Sequence, residues 1–395
     1  MLLWVMTLKK KLLILSVLVF LLAAGVAALA LPLAHPDFPI SPVPLETGAC
    51  PVEFHEGELA VGAESAILMD GDSGSVLYAK NPDERRGMAS TTKIMTAYVV
   101  LNRLSPETVV EITPEMTGIE GSSLYLKAEE KLTVEELLYG LLLESGNDSA
   151  VALAVACDGS VEAFAERMND TAKELGLENT RFANPHGLSA EGHYTTAREL
   201  AMLTAEALKN ETFSEIVSTY QTRIPYEGIA GGRYLTNHNP LLKSYEGMIG
   251  VKTGWTTADG KCFVSAAKRD GMTLIAVTLG DTGISATHRR LLDYGFEHYE
   301  RRTLTVETPL TVAVVGGEAS FLAAKAEELA LTLPKGGETE VRIETLPFVY
   351  AGIEKGSYCG RAVFLWNGVE VGSTPIVTAE TVPVKKISLW EKWFG

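Results

Sequence analysis

The sequence is short of positive charge and of the motifs that mark metal, nucleotide and repeat proteins. Its 395 residues include 34 Lys and Arg against 50 Asp and Glu, and the formal net charge of −16 excludes a general nucleic-acid binder. It has no Cys-x-x-Cys pair, no His-Glu-x-x-His sequence and no phosphate-binding glycine loop, which excludes zinc hydrolases and P-loop enzymes. No segment repeats along the chain, so a solenoid is excluded too. Hydrophobic residues make up 46%, enough for the cores of about two or three domains.

The N-terminus has the composition of an export signal. Three lysines at positions 9–11 precede 23 uncharged residues (12–34), which contain an Ala-x-Ala site at 28–30. This pattern is typical of a cleaved signal peptide, although an uncharged run of this length also suffices for a membrane anchor. In both cases the positive-inside rule keeps the lysines in the cytoplasm. The sequence therefore predicts that everything after residue 34 is extracytoplasmic.

Cysteine is scarce, with four residues at positions 50, 157, 262 and 359. An even number in an exported protein permits disulfides without requiring them, and these spacings do not form a disulfide framework. Cys157 ends an apolar helical stretch and Cys262 begins an apolar run. We therefore predict buried thiols at these two positions, and pairing of some of the four stays open.

Composition divides the rest of the chain into four segments. Residues 35–58 contain five prolines and predict an extended linker. A main folded domain is predicted over 59–300. From 301 the sequence changes to short strand signals, which predict a small β domain over 301–384. Residues 385–395 form a separate basic and aromatic tail.

The first half of the main domain changes from strand to helix signals. Two short apolar runs around a Gly-Asp-Ser-Gly turn predict a β-hairpin over 66–70 and 75–80. Helical spacing follows in five segments, two of them opened by capping boxes at Thr133/Glu136 and Thr196/Glu199. The predicted helices cover 90–104, 133–143, 149–157, 161–175 and 197–209.

Segments rich in β-branched residues then return between glycine turns. They predict adjacent antiparallel strands at 248–253, 262–267 and 273–280. Strands that flank a helical block indicate an α+β fold with helices packed on an antiparallel sheet. In the C-terminal domain we predict strands at 310–315, 340–345, 361–365 and 375–378, and one helix at 319–331.

Ser90-Thr91-Thr92-Lys93 is the first candidate for chemistry. At the start of a helix, residues i and i+3 share a face, which brings the Ser90 hydroxyl within reach of the Lys93 amine. Burial and neighbouring cations can lower the pKa of a lysine enough for it to accept the serine proton. Alone the pattern is weak, because a second Ser-x-x-Lys, from Ser265 to Lys268, also occurs. That one lies in a predicted strand, where the two side chains face opposite sides.

Two further motifs strengthen the first. Ser145-Gly146-Asn147 lies between two predicted helices, 55 residues after Ser90, and Lys252-Thr253-Gly254 lies on a predicted strand, 107 residues after Ser145. Taken separately, the former is typical of a loop turn and the latter of an exposed strand lysine. In this order and structural context the three match the motif set of penicillin-binding proteins and class A β-lactamases.

From about residue 59 to its C-terminus, the sequence resembles the low-molecular-mass penicillin-binding proteins, which are serine-type D-alanyl-D-alanine carboxypeptidases. The resemblance rests on the three motifs and on four further stretches. These are Gly-Ser-Ser-Leu (121–124), His-Gly-Leu (186–188), Asn-His-Asn (237–239) and Leu-Leu-Asp-Tyr-Gly-Phe (291–296). The resemblance implies a penicillin-recognising fold followed by a β domain, and a reaction that needs no metal or organic cofactor.

The resemblance also implies how the reaction proceeds. Ser90 attacks the terminal D-Ala-D-Ala bond of a peptidoglycan stem peptide, and Lys93 takes its proton. D-Ala leaves and water hydrolyses the acyl-enzyme, while β-lactam antibiotics acylate the same serine. Ser145 relays protons between Lys93 and Lys252, and Asn147 holds the amide side of the substrate and Lys93.

Substrate binding is implied for the third motif. Lys252 and Thr253 hold the free carboxylate of the terminal D-Ala, a role that suits a cation and a hydroxyl on an open strand edge. Gly254 completes the motif. The backbone N–H groups of Ser90 and Trp255 form the oxyanion hole.

Two positions depart from the family pattern. Familiar members have arginine between the asparagines of 237–239, where it helps to hold the substrate carboxylate, and here the residue is His238. We therefore expect carboxylate affinity to depend on pH. Trp255 stands where some relatives have histidine, which changes the pocket wall and leaves the backbone donor intact. His186 is interpreted as a loop or packing histidine near the site.

The tail at 385–395 has three lysines, two tryptophans and a phenylalanine against one glutamate. Such a segment is typical of an amphipathic stretch that lies in the membrane interface. It predicts attachment to the outer face of the cytoplasmic membrane. The alternative is a tail that packs on its own domain.

Three other functions are weighed against the carboxypeptidase. A class A β-lactamase needs a Glu-x-x-Leu-Asn loop between the second and third motifs, and the sequence has none there. A peptidoglycan DD-endopeptidase of the same fold would use identical machinery, but such relatives usually lack the C-terminal domain. A non-catalytic wall-binding or sensor protein is disfavoured by the intact Ser90, Lys93 and Lys252.

Overall fold

The computed structural model describes residues 59–226 and 229–385, all of which lie in one compact unit. The predicted export segment (1–34), the proline-rich linker (35–58), Cys50 and the tail beyond Lys385 lie outside the described residues. No helix within 59–226 or 229–385 is long and apolar enough to span a bilayer.

A five-stranded antiparallel sheet forms the centre of the fold. Its strands are β1 (Ser65–Asp70), β2 (Val76–Lys80), β7 (Met248–Thr256), β8 (Gly260–Arg269) and β9 (Met272–Asp281). They lie in the order β2-β1-β9-β8-β7, so that β7 is an edge strand. The predicted hairpin and the three predicted antiparallel strands are thereby confirmed, as is the α+β class.

Both faces of the sheet are buried because helices cover each of them. The described residues contain seven helices. They are α1 (Lys93–Leu101), α2 (Val134–Leu142), α3 (Asn147–Asp158), α4 (Val161–Glu174), α5 (Ala197–Ala207), α6 (Glu211–Ser218) and α7 (Ile284–His298). On β9, Leu274 and Ala276 pack towards α7, whereas Ile275 and Val277 pack towards the helical block that includes α1 to α6. This alternation is the period of two expected of a strand. The five predicted helices are confirmed, while α6 and α7 were not predicted.

Side-chain caps fix where several helices begin. The capping box before α2 is complete, because Thr133 Oγ1 accepts from Glu136 N at 3.2 Å and Glu136 Oε2 accepts from Thr133 N at 2.7 Å. The box predicted before α5 forms only in half. Thr196 Oγ1 accepts from Glu199 N, but the Glu199 carboxylate accepts instead from the backbone N–H of Asn179 at 2.8 Å. A loop distant in sequence thus competes for the carboxylate.

Two short antiparallel strand pairs complete the main part of the molecule. Strand β3 (Val109–Glu111) pairs with β4 (Lys131–Thr133), and β5 (Gln221–Ile224) pairs with β6 (Arg233–Thr236). Two short 3-10 turns, at Ala89–Thr92 and Pro114–Met116, also occur. The first of these turns leads directly into α1 and carries Ser90.

The C-terminal part consists of strands. They are β10 (Tyr299–Leu304), β11 (Leu310–Val315), β12 (Phe321–Ala326), β13 (Leu329–Pro334), β14 (Thr339–Thr345), β15 (Val349–Tyr350), β16 (Tyr358–Trp366) and β17 (Val369–Thr378). Strands β10 and β13 form a pair, and the others form a sheet in the order β14-β16-β17-β12-β11-β15. The four strands predicted here are confirmed. The strands of this C-terminal part surround a hydrophobic cluster of their own.

The helix predicted at 319–331 is wrong, because this segment forms β12 and the start of β13. Its Ala, Glu and Leu residues favour a helix in isolation. In the fold, Leu329, Leu331 and Leu333 are buried and β13 pairs with β10 along its whole length. Pairing and burial therefore override the local preference.

The cysteines of the described residues are unpaired. Cys262 is buried as predicted, and so is Cys359. Cys157 is only partly buried because it lies next to the last residue of α3, which corrects the prediction of a buried thiol there.

Candidate active site

Ser90 lies in the 3-10 turn before α1, and an unusual backbone conformation holds that turn. Ala89 has a φ of +46°, a left-handed value that is uncommon for a residue with a Cβ. Its N–H donates to Asp259 Oδ2 at 3.1 Å, and its carbonyl accepts from Thr92 Oγ1 at 2.8 Å. Gly187 approaches the same carbonyl so closely that an added Cβ would lie 2.0 Å from the oxygen. The nucleophile turn is therefore fixed from three sides.

Lys93 is fully buried one helical turn after Ser90. Its Nζ donates to Ser90 Oγ at 3.0 Å, to Asn147 Oδ1 at 2.7 Å and to the carbonyl of His186 at 2.6 Å. Burial, followed by the charge of Lys252, holds the pKa of this amine well below its usual range. A neutral amine in contact with a serine hydroxyl is able to accept its proton.

Ser145 and Asn147 come from the loop between α2 and α3. Ser145 is buried with a φ of +64°, and Asn147 begins α3. The Asn147 amide donates to the carbonyl of Glu120 at 2.5 Å while its oxygen accepts from Lys93. Within 59–226 and 229–385, Ser145 Oγ makes no hydrogen bond to either Lys93 or Lys252. The structure thus brings Asn147 to Lys93 and leaves the Ser145 hydroxyl unengaged.

Asp148 organises this loop and was not singled out from the sequence. Its fully buried carboxylate accepts from Ser123 Oγ at 2.6 Å, from Leu124 N at 3.0 Å and from Leu126 N at 3.1 Å. These bonds attach the segment around Ser123 to the start of α3. An acidic residue directly after Ser-Gly-Asn was the available signal.

Lys252 lies on the edge strand β7 and is 1% exposed. In the described part of the chain its Nζ donates one hydrogen bond, to the carbonyl of Thr253 at 2.8 Å, which leaves donors for a ligand. Burial lowers its pKa to about 7, and the charge of Glu144 opposes that shift. Strand β7 passes directly beside the nucleophile, since a Cβ on Gly254 would lie 2.7 Å from Ser90 N. Trp255 follows with 65% of its surface exposed.

His238 lies next to a carboxylate that was not predicted to belong to the site. Its Nε2 is 3.4 Å from Glu144 Oε2, and Glu144 Oε1 accepts from Thr236 N at 2.6 Å. Burial and then the charge of Lys252 lower the pKa of His238, whereas Glu144 raises it. His238, Glu144 and Lys252 are thus electrostatically linked.

Two further histidines support the nucleophile without being placed to react. His186 contributes its backbone carbonyl to Lys93, and its Nδ1 accepts from Leu188 N at 3.2 Å, which agrees with a loop histidine. His193 was missed, because its neighbours are far away in sequence. Its Nδ1 accepts from Ala183 N at 3.0 Å, so Nε2 carries the proton and donates to Thr92 Oγ1 at 2.7 Å. Burial lowers the pKa of both histidines to about 4.

The arrangement as a whole combines a nucleophile, a buried amine whose pKa is lowered, and a second buried amine on an open strand edge. Such a set is suited to acyl transfer on a substrate that carries a negative charge. The described residues contain no group of three or more His, Cys, Asp and Glu side chains able to hold a metal ion.

Comparisons with known proteins agree with this geometry. The profile of the D-alanyl-D-alanine carboxypeptidase family matches residues 52–283. The D-alanyl-D-alanine carboxypeptidase DacF of Bacillus subtilis is 36% identical, over 82% of this chain and 86% of its own. DacC of Escherichia coli is 34% identical over 82% and 85% of the two chains. The crystal structure of penicillin binding protein 5 from Haemophilus influenzae has a TM-score of 0.72 at 30% identity, and covers 82% of this chain and 98% of its own.

Proposed function

Since the chain belongs to the D-alanyl-D-alanine carboxypeptidase family, we propose that Ser90 is the nucleophile with which it cleaves its substrate. The protein is a serine-type carboxypeptidase that removes the terminal D-Ala from peptidoglycan pentapeptides and is acylated by penicillins. It acts outside the cytoplasm. The contact of 3.0 Å between Lys93 Nζ and Ser90 Oγ carries the assignment of the nucleophile.

Acylation begins with a proton transfer that the buried amine makes possible. Ser90 Oγ attacks the carbonyl carbon of the penultimate D-Ala while its proton passes to the neutral Lys93 amine. The C–N bond then breaks, and that proton goes to the leaving amine of the terminal D-Ala. In deacylation a water molecule attacks the ester carbonyl and gives a proton to Lys93. The C–O bond to Ser90 then breaks, that proton passes from Lys93 to Ser90 Oγ, and the shortened peptide leaves as its carboxylic acid.

Asn147 and Ser145 assist these transfers. Asn147 Oδ1 accepts from Lys93 at 2.7 Å and so orients the amine. Asn147 also holds the amide side of the substrate. Ser145 relays protons between Lys93 and Lys252. Ser145 is buried as a residue, and its hydroxyl has no hydrogen bond among the described residues, so it is available for that relay.

The substrate carboxylate binds at the third motif. Lys252 has unused N–H donors on an edge strand, and Thr253 adds a hydroxyl beside it. His238 lies close enough to Lys252 for the two charges to interact. The backbone N–H groups of Ser90 and Trp255 stabilise the oxyanion, a role supported by the close approach of Gly254 to Ser90 N.

Domain organisation and membrane contact belong to the same proposal. Residues 59–300 are the catalytic domain and 301–384 a separate β domain, which the distinct hydrophobic cluster in the latter supports. The basic, aromatic composition of 385–395 favours attachment to the outer face of the cytoplasmic membrane. Partition of the full chain onto anionic lipid vesicles, with a variant that lacks 386–395 as control, tests the attachment.

The decisive experiment incubates the full chain, purified in detergent, with a pentapeptide that ends in D-Ala-D-Ala. Released D-Ala is followed by mass spectrometry, with Ser90→Ala in parallel. Release by the wild type alone supports both the reaction and its nucleophile. Cleavage of a cross-linked dimer without release from the pentapeptide would favour an endopeptidase, and cleavage of neither would favour a binding protein.

A further inference from the structure

Glu144, in the loop between α2 and α3, contacts both the backbone of the last residue of β6 and the ring of His238, which follows that strand. It is partly buried, with 28% of its side chain exposed. One carboxylate oxygen accepts the N–H of Thr236 at 2.6 Å, and the other lies 3.4 Å from Nε2 of His238. These partners are 92 or more residues away in sequence. Glu144 therefore attaches the β6 end to the loop that carries Ser145.

The charges around His238 come from two other elements. Lys252 on β7 lowers the pKa of His238, and Glu144 from the α2–α3 loop raises it. Glu144 also raises the pKa of Lys252 against the effect of burial. The charge of Lys252 in turn lowers the pKa of Lys93 on α1, after the larger effect of burial. Glu144 is thus the acidic group that favours the protonated form of both His238 and Lys252.

Resting on the function proposed above, we infer that Glu144 is a positioning residue that holds His238 beside Lys252 as a second cation for the terminal carboxylate of the peptide. With Nε2 facing Glu144, Nδ1 is the ring nitrogen left to donate to the substrate in the imidazolium form. A carboxylate on one side of an imidazole orients the ring and favours its protonation. The incoming substrate carboxylate adds a further negative charge, so binding of the peptide takes up a proton.

The variant Glu144→Gln separates charge from structure. The glutamine oxygen still accepts from Thr236 N, whereas the negative charge beside His238 is lost. We expect KM for the pentapeptide near pH 7 to rise about tenfold, equivalent to about 1.4 kcal/mol of binding, with kcat within about twofold. The pH at which KM begins to rise should move to lower values, since His238 and Lys252 both lose a group that raises their pKa.

Two companion variants sharpen the test. Glu166→Gln makes the same change in charge on the exposed face of α4 and should leave KM and its pH profile as in the wild type. His238→Arg in the Glu144→Gln background supplies a cation that does not titrate, and should restore a low KM that no longer varies with the protonation of residue 238. Rescue of this kind would not follow from a purely structural role.

Several outcomes would overturn the inference. If Glu144→Gln keeps the wild-type KM and pH profile while Glu144→Ala lowers the melting temperature, Glu144 only anchors the loop. An NMR titration of His238 provides a readout without turnover, and an equal pKa in wild type and Glu144→Gln would also refute the pairing. The proposed function is judged separately, by D-Ala release from the wild type. A lower His238 pKa in Glu144→Gln would support the pair even if that release failed.

Discussion

His193 Nε2 lies 2.7 Å from Thr92 Oγ1, behind the turn that carries the nucleophile. Because Ala183 N–H occupies Nδ1, the imidazole must donate from Nε2, and Thr92 Oγ1 in turn donates to the carbonyl of Ala89. A directed chain of hydrogen bonds thus runs from the loop at 183 to the strained residue before Ser90. The chain keeps the turn rigid and has no part in proton transfer to the substrate.

Removing His193 is expected to loosen that turn. His193→Ala leaves Ala183 N–H without its acceptor and should destabilise the fold by about 1–3 kcal/mol. Acylation by a fluorescent penicillin should slow, and His193→Gln, which can donate from its amide, should recover most of the rate. Stopped-flow acylation and thermal unfolding measure the two effects. A full acylation rate in His193→Ala would show that Ser90 is positioned without this chain.

The two Ser-x-x-Lys patterns provide a matched pair for testing the base. Lys93→Ala removes the amine that contacts Ser90 and should slow acylation by about 10²–10⁴, the usual contribution of a positioned general base. Lys268→Ala alters the exposed lysine of the other pattern, on β8, and should acylate normally. Trapping of the penicilloyl-enzyme by mass spectrometry over time compares them. Comparable losses in both variants would contradict the role of Lys93.

The protonation of Lys252 should limit activity on the alkaline side. Its pKa is lowered to about 7, so above that pH the amine loses its proton and with it the attraction for the substrate carboxylate. We expect kcat/KM to fall as pH rises through this value, since the profile of kcat/KM reports groups of the free enzyme. In Lys252→Arg the cation persists, and the alkaline limb should move upwards. An unchanged limb in that variant would assign it to a different group.

A histidine remote from the chemistry should make the fold sensitive to acid. His288 is fully buried, with Ser265 Oγ 2.6 Å from Nδ1 and Thr278 Oγ1 2.9 Å from Nε2, and burial lowers its pKa to about 3. In the unfolded chain the pKa returns to about 6.5. Between these values the unfolded state binds more protons. The free energy of unfolding should therefore decrease by up to about 1.4 kcal/mol for each pH unit of acidification.

Urea unfolding between about pH 7 and pH 4 measures this dependence. His288→Gln should be less stable at neutral pH. Its free energy of unfolding should also depend less steeply on pH, because the contribution of His288 is removed. If the two slopes coincide, other groups account for the acid sensitivity.

Much of the main domain was predictable because its signals are local. The Gly-Asp-Ser-Gly turn, the capping box at Thr133 and the β-branched runs at 248–280 each depend on neighbours within a few residues. The 319–331 segment failed for the opposite reason. Its composition favours a helix, and only the pairing of β13 with β10 and the burial of alternate leucines make it a strand.

The motifs, their order and hence the kind of chemistry are evident from the amino-acid sequence, because Ser90 and Lys93 are separated by one helical turn. How distant segments meet depends on the packing of the folded chain. Glu144 beside His238, His193 beside Thr92 and Gly254 against Ser90 N are contacts between residues about 90 or more apart in the chain. Local preferences do not encode such neighbours, because the packing of the sheet and helices brings them together. Burial, which depends on the same packing, sets the pKa values of both site lysines.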